Sequence, residues 1–263
     1  MNNILYFPFF KGQTIKNGIR NYDIIKKSIP NGYKIEKYSN LKKDSVAYSD
    51  LIHFFKYLNY NKYNKIIGGD HSTSIATLQH SVIKNRDLKV LWFDAHPDIN
   101  TYEMSNTKNI HGIPLAVATG LENNFSFTNI KIPFENIMYV GIRSIDKYEN
   151  QIIKTNNIQY LTVENIIESP KECLDKIKNF IKDSNVHMSF DVDCLDPSIM
   201  STTGTPVENG LFMEDIEKLI LPIKKHIIFS ECHEFNIQNN FNYKDKIFIK
   251  SCESLNSIFK LIF

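Results

Sequence analysis

The chain has 263 residues, 42% of them hydrophobic and 12% aromatic, enough to bury a full core; one large α/β domain spanning 1–263 is expected rather than a string of small modules. Its formal charge is only +2, and its 31 basic residues are interspersed with 29 acidic ones, which argues against a nucleic-acid stripe or a membrane-binding surface. Cys173, Cys194, Cys232 and Cys252 are far apart and form no metal or redox spacing, so a reduced chain in the cytoplasm is expected.

In chain order, the apolar run that opens at Ile4 is broken by Pro8 and followed by Lys11, which predicts a buried strand over Ile4–Phe7 rather than a signal peptide. A helical spacing follows over Ala47–Asn59, then a strand at Lys65–Ile67, a helix over Thr73–Lys84 and a strand at Val90–Phe93. The polar stretch from Tyr102 to Asn109 reads as a loop, and the apolar run from Ile113 to Leu121 is too short to span a membrane, which takes ~20 residues. A strand at Ile137–Val140, a helix over Pro170–Lys182, a strand at Val186–Phe190, a helix over Glu214–Lys224 and a strand at Ile227–Phe229 complete the alternation. After a polar stretch at Gln238–Asp245, Ile249, Cys252, Leu255, Phe259 and Ile262 mark a terminal amphipathic helix. Strands alternating with helices predict a mostly parallel sheet covered on both faces, a three-layer α/β/α sandwich.

Open parallel sheets bind ligands beyond the carboxyl ends of their strands. The residues there are GGDHS at 68–72, DAHPDIN at 94–100, DVDCLDPS at 191–198 and SECHEFN at 230–236. Asp94, His96 and Asp98 alternate, as do Asp191 and Asp193, so an extended backbone would aim each set one way. With His71 they make two imidazoles and four carboxylates, a donor set suited to a pair of divalent cations such as manganese. Four carboxylates clustered away from water repel one another unless cations of similar total charge neutralise them. A single Asp after a strand is more often a cap or turn residue, and a single His71 equally a core histidine. Three such motifs at strand ends favour a metal centre.

These segments resemble the arginase family of ureohydrolases, whose hallmarks are GGDHS, DAHxDxN and SxDxDxxDP; here they read GGDHS, DAHPDIN and SFDVDCLDP, in the same order, with KGQ at 11–13 ahead of them. The resemblance covers nearly the whole chain. It implies that His71, Asp94, His96, Asp98, Asp191 and Asp193 hold two manganese ions per subunit, and that metal-activated water cleaves the guanidinium group of L-arginine to L-ornithine and urea. It also implies that Asn100 and Thr107 serve the substrate carboxylate, and that Asp146 and Glu149 receive its α-ammonium. Without the family, these last two are an ordinary acidic helix start. By the same resemblance Glu234 holds the guanidinium from the side away from the metals, Thr205 closes the pocket around it, Asp98 passes a proton and His111 shuttles one; the unperturbed His value near 6.5 suits that task. Family members form trimers or hexamers, so a homo-oligomer is implied.

Glu208 and Asn209 stand where the family commonly has small residues and glycine, Ile237 where proline is common, and Ser144 where an acidic residue often precedes Asp146. His233 and Cys194 are untypical neighbours of Glu234 and Asp193, while His53, His80, His187 and His226 read as structural. The competing readings are an agmatinase or other guanidino-substrate ureohydrolase, for which Asn100 and Thr107 would have no anion to bind, and a non-catalytic metal-binding homologue. A deacetylase of the same broad fold would need another histidine arrangement before DAHPD.

Overall fold

Strands whose consecutive residues are all apolar must be buried on both faces, and helices on either side of a parallel sheet provide that burial. The computed structural model describes residues 3–13, 21–237 and 245–263. Eight strands, β1 (Asn3–Tyr6), β2 (Lys34–Lys37), β3 (Lys65–Ile67), β4 (Lys89–Phe93), β5 (Ile137–Val140), β6 (Gln159–Leu161), β7 (Val186–Asp191) and β8 (Ile227–His233), form one sheet in the order 2-1-3-8-7-4-5-6. Every pairing is parallel. The helices are α1 (Asn21–Ser28), α2 (Ala47–Tyr60), α3 (Ser74–Lys84), α4 (Pro114–Thr119), α5 (Lys147–Thr155), α6 (Val163–Glu168), α7 (Pro170–Ile181), α8 (Met213–Ile220) and α9 (Lys246–Ile262).

The period of two along each strand divides the core. Ile4, Tyr6, Leu91, Phe93, Met138 and Val140 face α1, α6, α7, α8 and α9, while Leu5, Phe7, Val90, Trp92, Ile137 and Tyr139 face α2, α3, α4 and α5. The layered sheet thus matches the expectation, and its pairings are wholly parallel.

Some boundaries differ. The edge strands β2 and β6 carry exposed polar residues (KIEK and QYL) and gave no apolar run to read. The helix expected over Glu214–Lys224 ends at Ile220 and gives way to a 3₁₀ segment, Leu221–His226, because Pro222 has no N–H with which to continue an α-helix. Strand β8 runs on from Phe229 to His233, its polar residues buried against partners described below. Thr73 belongs to a 3₁₀ turn, His71–Thr73, that leads into α3. Of the loop expected at Gln238–Asp245, residues 238–244 lie outside the described residues, and Asp245 caps α9 by accepting from the Ile247 N–H at 2.9 Å. No described helix is long and apolar enough to cross a membrane.

Candidate metal centre

Strand β8, last in sequence, sits between β3 and β7, so the four strands whose ends carry the motifs are neighbours in the order β3, β8, β7, β4. Their carboxyl ends therefore deliver all four segments to one place. The turn after β3 needs its glycines: a Cβ at Gly69 would lie 1.9 Å from the Phe9 carbonyl oxygen, and one at Gly68 would lie 2.1 Å from His233 Nδ1. Asp70 accepts from the Ser72 N–H at 3.1 Å, starting the 3₁₀ turn that brings His71 inward.

His71 Nδ1 faces Asp94 Oδ2 at 3.0 Å and Asp98 Oδ2 and Asp191 Oδ2 each at 3.1 Å. His96 Nδ1 lies 3.1 Å from Asp193 Oδ2 and 3.5 Å from Asp94 Oδ1. Asp94 thus turns one oxygen to each histidine, and two triads, His71/Asp94/Asp191 and Asp94/His96/Asp193, are compact enough to hold a cation each. All six residues come together, but not through extended backbone. The His96 N–H turns back to Asp94 Oδ1 at 2.7 Å and Asp98 has φ +48°, while Asp193 lies in a 3₁₀ turn with its N–H 2.8 Å from Asp191 Oδ1. Side-chain acceptors coil both motifs, so the six side chains converge through turns and not through the alternation of an extended strand.

Burial raises the Asp98 carboxyl to about 6, helped by Asp94, and raises Asp191 and Asp193 as well, with neighbouring carboxylates adding to it. Burial would also raise Asp94, but the imidazoles of His71 and His96 facing its two oxygens hold it below the usual carboxylate range. Burial alone would strip the proton from His71 and His96; Asp191, Asp94 and Asp98 hold it on the first and Asp193 on the second. Even so, His71 Nδ1 is buried with no hydrogen bond of normal geometry despite three carboxylate oxygens around it. A divalent cation fits this arrangement, since it neutralises several oxygens at once where a proton satisfies one.

A cavity of about 240 Å³ opens beside the cluster, lined by His96, Asp98, Asn100, Ser105, Asn106, Thr107, Asn109, His111, Gly112, Asp146, Glu149, Asp191, Thr205 and Glu234. Glu234 follows β8 in the left-handed region, φ +64°, with its N–H on Gly69 O at 2.8 Å. Its Oε1 accepts from the His71 N–H at 2.9 Å and faces His111 Nδ1 at 3.2 Å. Burial would lower His111, but the Glu234 carboxylate outweighs it and pushes the imidazole up to about 9, well above the unperturbed value the sequence suggested.

Asp146 and Glu149 cap α5 reciprocally, the Glu149 N–H on Asp146 Oδ1 at 2.8 Å and the Asp146 N–H on Glu149 Oε2 at 3.2 Å. Both also line the cavity, and burial raises Glu149 to about 8, Asp98 and Asp146 adding to it. Asn100 Nδ2 donates to Asp146 Oδ2 at 2.6 Å, so this donor already serves a protein carboxylate. Thr107 is exposed at the cavity mouth, its hydroxyl 3.3 Å from that of Ser105. The Thr205 hydroxyl donates to Asp193 Oδ2 at 3.1 Å, so it braces a candidate metal ligand, and Thr205 lines the same cavity as Glu234.

Several residues with no assigned role in the sequence reading shape the site. Trp92 stacks on His71 with centroids 4.2 Å apart and donates Nε1–H to Asp94 Oδ2 at 3.0 Å; its place two residues before Asp94 on β4 was the available signal. Ser189, two before Asp191 on β7, meets His71 Nε2 at 2.9 Å. Behind it, Ser74 donates to Glu231 Oε1 at 2.6 Å, and His187 and His233 flank that carboxylate at 3.1 and 3.3 Å. His187 also meets Ser81 Oγ at 2.8 Å and His80 meets Asn59 Oδ1 at 2.8 Å, matching the structural reading of both histidines. Arg143 donates to the carbonyls of Asp193 (2.8 Å), Val207 (2.7 Å) and Glu208 (3.0 Å), among others, tying the two loops together. Asn209 has φ +60°, a conformation asparagine tolerates, so the departure from glycine leaves this turn intact.

The Arginase family model matches residues 27–243. An arginase of Entamoeba histolytica is 44% identical over 157 residues, 57% of this chain and 53% of that protein. One from Staphylococcus aureus is 36% identical over 211 residues, 76% of this chain and 63% of that protein. The matched part is thus less than two thirds of the length of either relative. The solved Entamoeba histolytica arginase in complex with L-ornithine superposes with a TM-score of 0.81 at 28% identity, covering 97% of this chain and 98% of that one. With most of its length matched by the family model and its motifs converging at adjacent strand ends, the chain belongs to the arginase family.

Proposed function

We propose that the chain is a binuclear manganese hydrolase that cleaves L-arginine to L-ornithine and urea. The observation that carries this reading is a cavity lined by a member of each candidate metal triad, Asp191 and His96, together with Glu234 and the Asp146/Glu149 pair. A substrate with an ammonium group at one end and, at the other, a guanidinium whose central carbon reacts fits that charge pattern. The name of the Entamoeba histolytica relative and the L-ornithine in its complex support the same substrate.

When bound, the metal pair supplies a water acidified from a pKa near 15.7 toward about 7 and neutralises the four carboxylates. Glu234 accepts hydrogen bonds from the guanidinium and fixes its plane, and its ionised form is favoured because the His111 and His71 hydrogen bonds outweigh burial. Asp98, whose carboxyl lies at the cavity, takes the nucleophile's proton and passes it to the leaving nitrogen. His111, protonated at neutral pH, supplies the proton that leaves with the amine. Asp146 and Glu149 receive the α-ammonium, and the Ser105 and Thr107 hydroxyls face the α-carboxylate. A homo-oligomer and a cytoplasmic location belong to the same reading, the four unpaired cysteines supporting a reducing compartment.

Urea release from manganese-loaded protein given L-arginine and agmatine in parallel tests the reading. Turnover confined to L-arginine is expected, with Asp98→Asn abolishing it at full metal occupancy; turnover of agmatine alone, or of neither, overturns the substrate.

A further inference from the structure

The KGQ segment at 11–13 is the one sequence motif to which the function above gives no task. Three tethers hold it. Lys11 Nζ donates to Asp50 Oδ2 at 2.7 Å and to Lys42 O at 2.8 Å. The Gly12 N–H donates to Asp70 Oδ2 at 2.7 Å, and Gly12 O accepts from the His111 N–H at 3.2 Å. Glycine is needed there, because a Cβ would lie 2.4 Å from Ser72 Oγ. The tethers deliver Gln13, only 5% exposed, with Nε2 at 3.0 Å from Glu234 Oε2. On the far side, Gly204 leaves the room the amide needs: a Cβ there would lie 2.9 Å from Gln13 Oε1 and 3.6 Å from Glu234 Oε2.

We propose that Gln13 is a positioning residue that fixes the Glu234 carboxylate for guanidinium recognition; this rests on the role given to Glu234 above. The His71 N–H and His111 both meet Oε1, so the carboxylate can still pivot about that oxygen. Gln13 holds the other oxygen and sets the plane. An amide does this without cancelling the negative charge that attracts the substrate. A lysine there would pair with Glu234 and compete with the guanidinium, and a glutamate would repel it. The KGQ segment and Gly204 are the supports of this one hydrogen bond.

The test uses manganese-loaded protein, unsubstituted and as Gln13→Met, which keeps length and packing but removes the donor, and Gln13→Glu, which keeps shape and reverses the effect. Crystal structures at equal metal content should show the Glu234 carboxylate rotated in Gln13→Met. The KM for L-arginine should rise about tenfold, the loss of a hydrogen bond to a charged group, with kcat reduced less and with a larger rise in Gln13→Glu. A Glu234 carboxylate that keeps its place in Gln13→Met overturns the proposal, whatever the kinetics; if that variant fails to fold, the same comparison in Gln13→Glu decides. If the unsubstituted protein releases no urea from L-arginine, the substrate reading fails while the position of Glu234 still decides this one.

Discussion

Removing the metal should destabilise the chain by an amount that grows with pH. Asp94, Asp98, Asp191 and Asp193 are nearly or wholly buried with His71 and His96 among them. In chelator, this cluster keeps protons that the unfolded chain releases. The folded Asp98 carboxyl is raised to about 6, Asp191 and Asp193 are raised too, and both histidines are held well above their ordinary value. A group raised in the folded state contributes stability that is complete below its unfolded pKa and lost as pH rises through its folded one. The raised carboxylates therefore weaken the chelated chain as pH rises above 3.8, Asp98 until about pH 6, and the two histidines weaken it once pH passes 6.5, whereas Asp94, lowered from 3.8, acts only at lower pH. Divalent metal competes with the same protons, so its binding tightens over this range. Free metal at about a hundred times Kd adds about 2.7 kcal/mol per site, roughly 5 kcal/mol for two. For a chain of this size, about 2–4 °C per kcal/mol makes the difference in Tm about 10–20 °C at pH 8. Thermal melts in chelator and in manganese at pH 5, 6.5 and 8 provide the measurement. A difference that stays below about 3 °C, or that shrinks as pH rises, would refute the account of the cluster.

Arg143→Met should leave the loops around Asp193 and Val207 without their shared donor; a loss of about 2 kcal/mol in chemical denaturation and weaker retention of one of two metal equivalents on dialysis are expected. Thr205→Val removes the brace on Asp193 Oδ2 and should lower metal affinity severalfold in titration calorimetry with little change in Tm at saturating metal. Glu149 is raised to about 8, so its stabilisation is complete below pH 4.5 and lost as pH rises through about 8. Glu149→Gln, neutral throughout, should therefore lose less stability between pH 5 and 9 than the parent, as read from denaturant midpoints.

The sequence made the layers and the six metal candidates readable because both depend on local pattern. Apolar runs of strand length fix the sheet, and carboxylates and imidazoles just beyond those runs must lie at its rim. The insertion of β8 between β3 and β7 was not readable, since strand order is decided by packing between distant segments. With it went the neighbours of the site: Glu234 meets Gln13 across 221 positions, and His71 meets Ser189 across 118. Strands β2 and β6 carry no apolar run for a different reason, since edge positions do not demand apolar residues.

Asp146 and Glu149 show why single residues resist a choice between a structural and a chemical reading. The sequence offered a helix start or an ammonium site; the helix start is present as a capping box, and both residues also line the cavity. Asp146 Oδ1 takes the Glu149 N–H and Oδ2 takes Asn100, while Glu149 Oε2 takes the Asp146 N–H and Oε1 takes the Ile99 N–H at 3.3 Å. A carboxylate oxygen accepts about two hydrogen bonds, so each retains capacity toward the cavity. The capping box orders the pair before any substrate arrives, which lowers the entropy cost of binding an ammonium group. Substitutions separate the two jobs. Asp146→Ala should cost α5 about 1 kcal/mol as well as raising KM, whereas Asp146→Asn keeps an oxygen for the cap. A stable Asn variant with an unchanged KM for L-arginine would leave Asp146 with the cap alone.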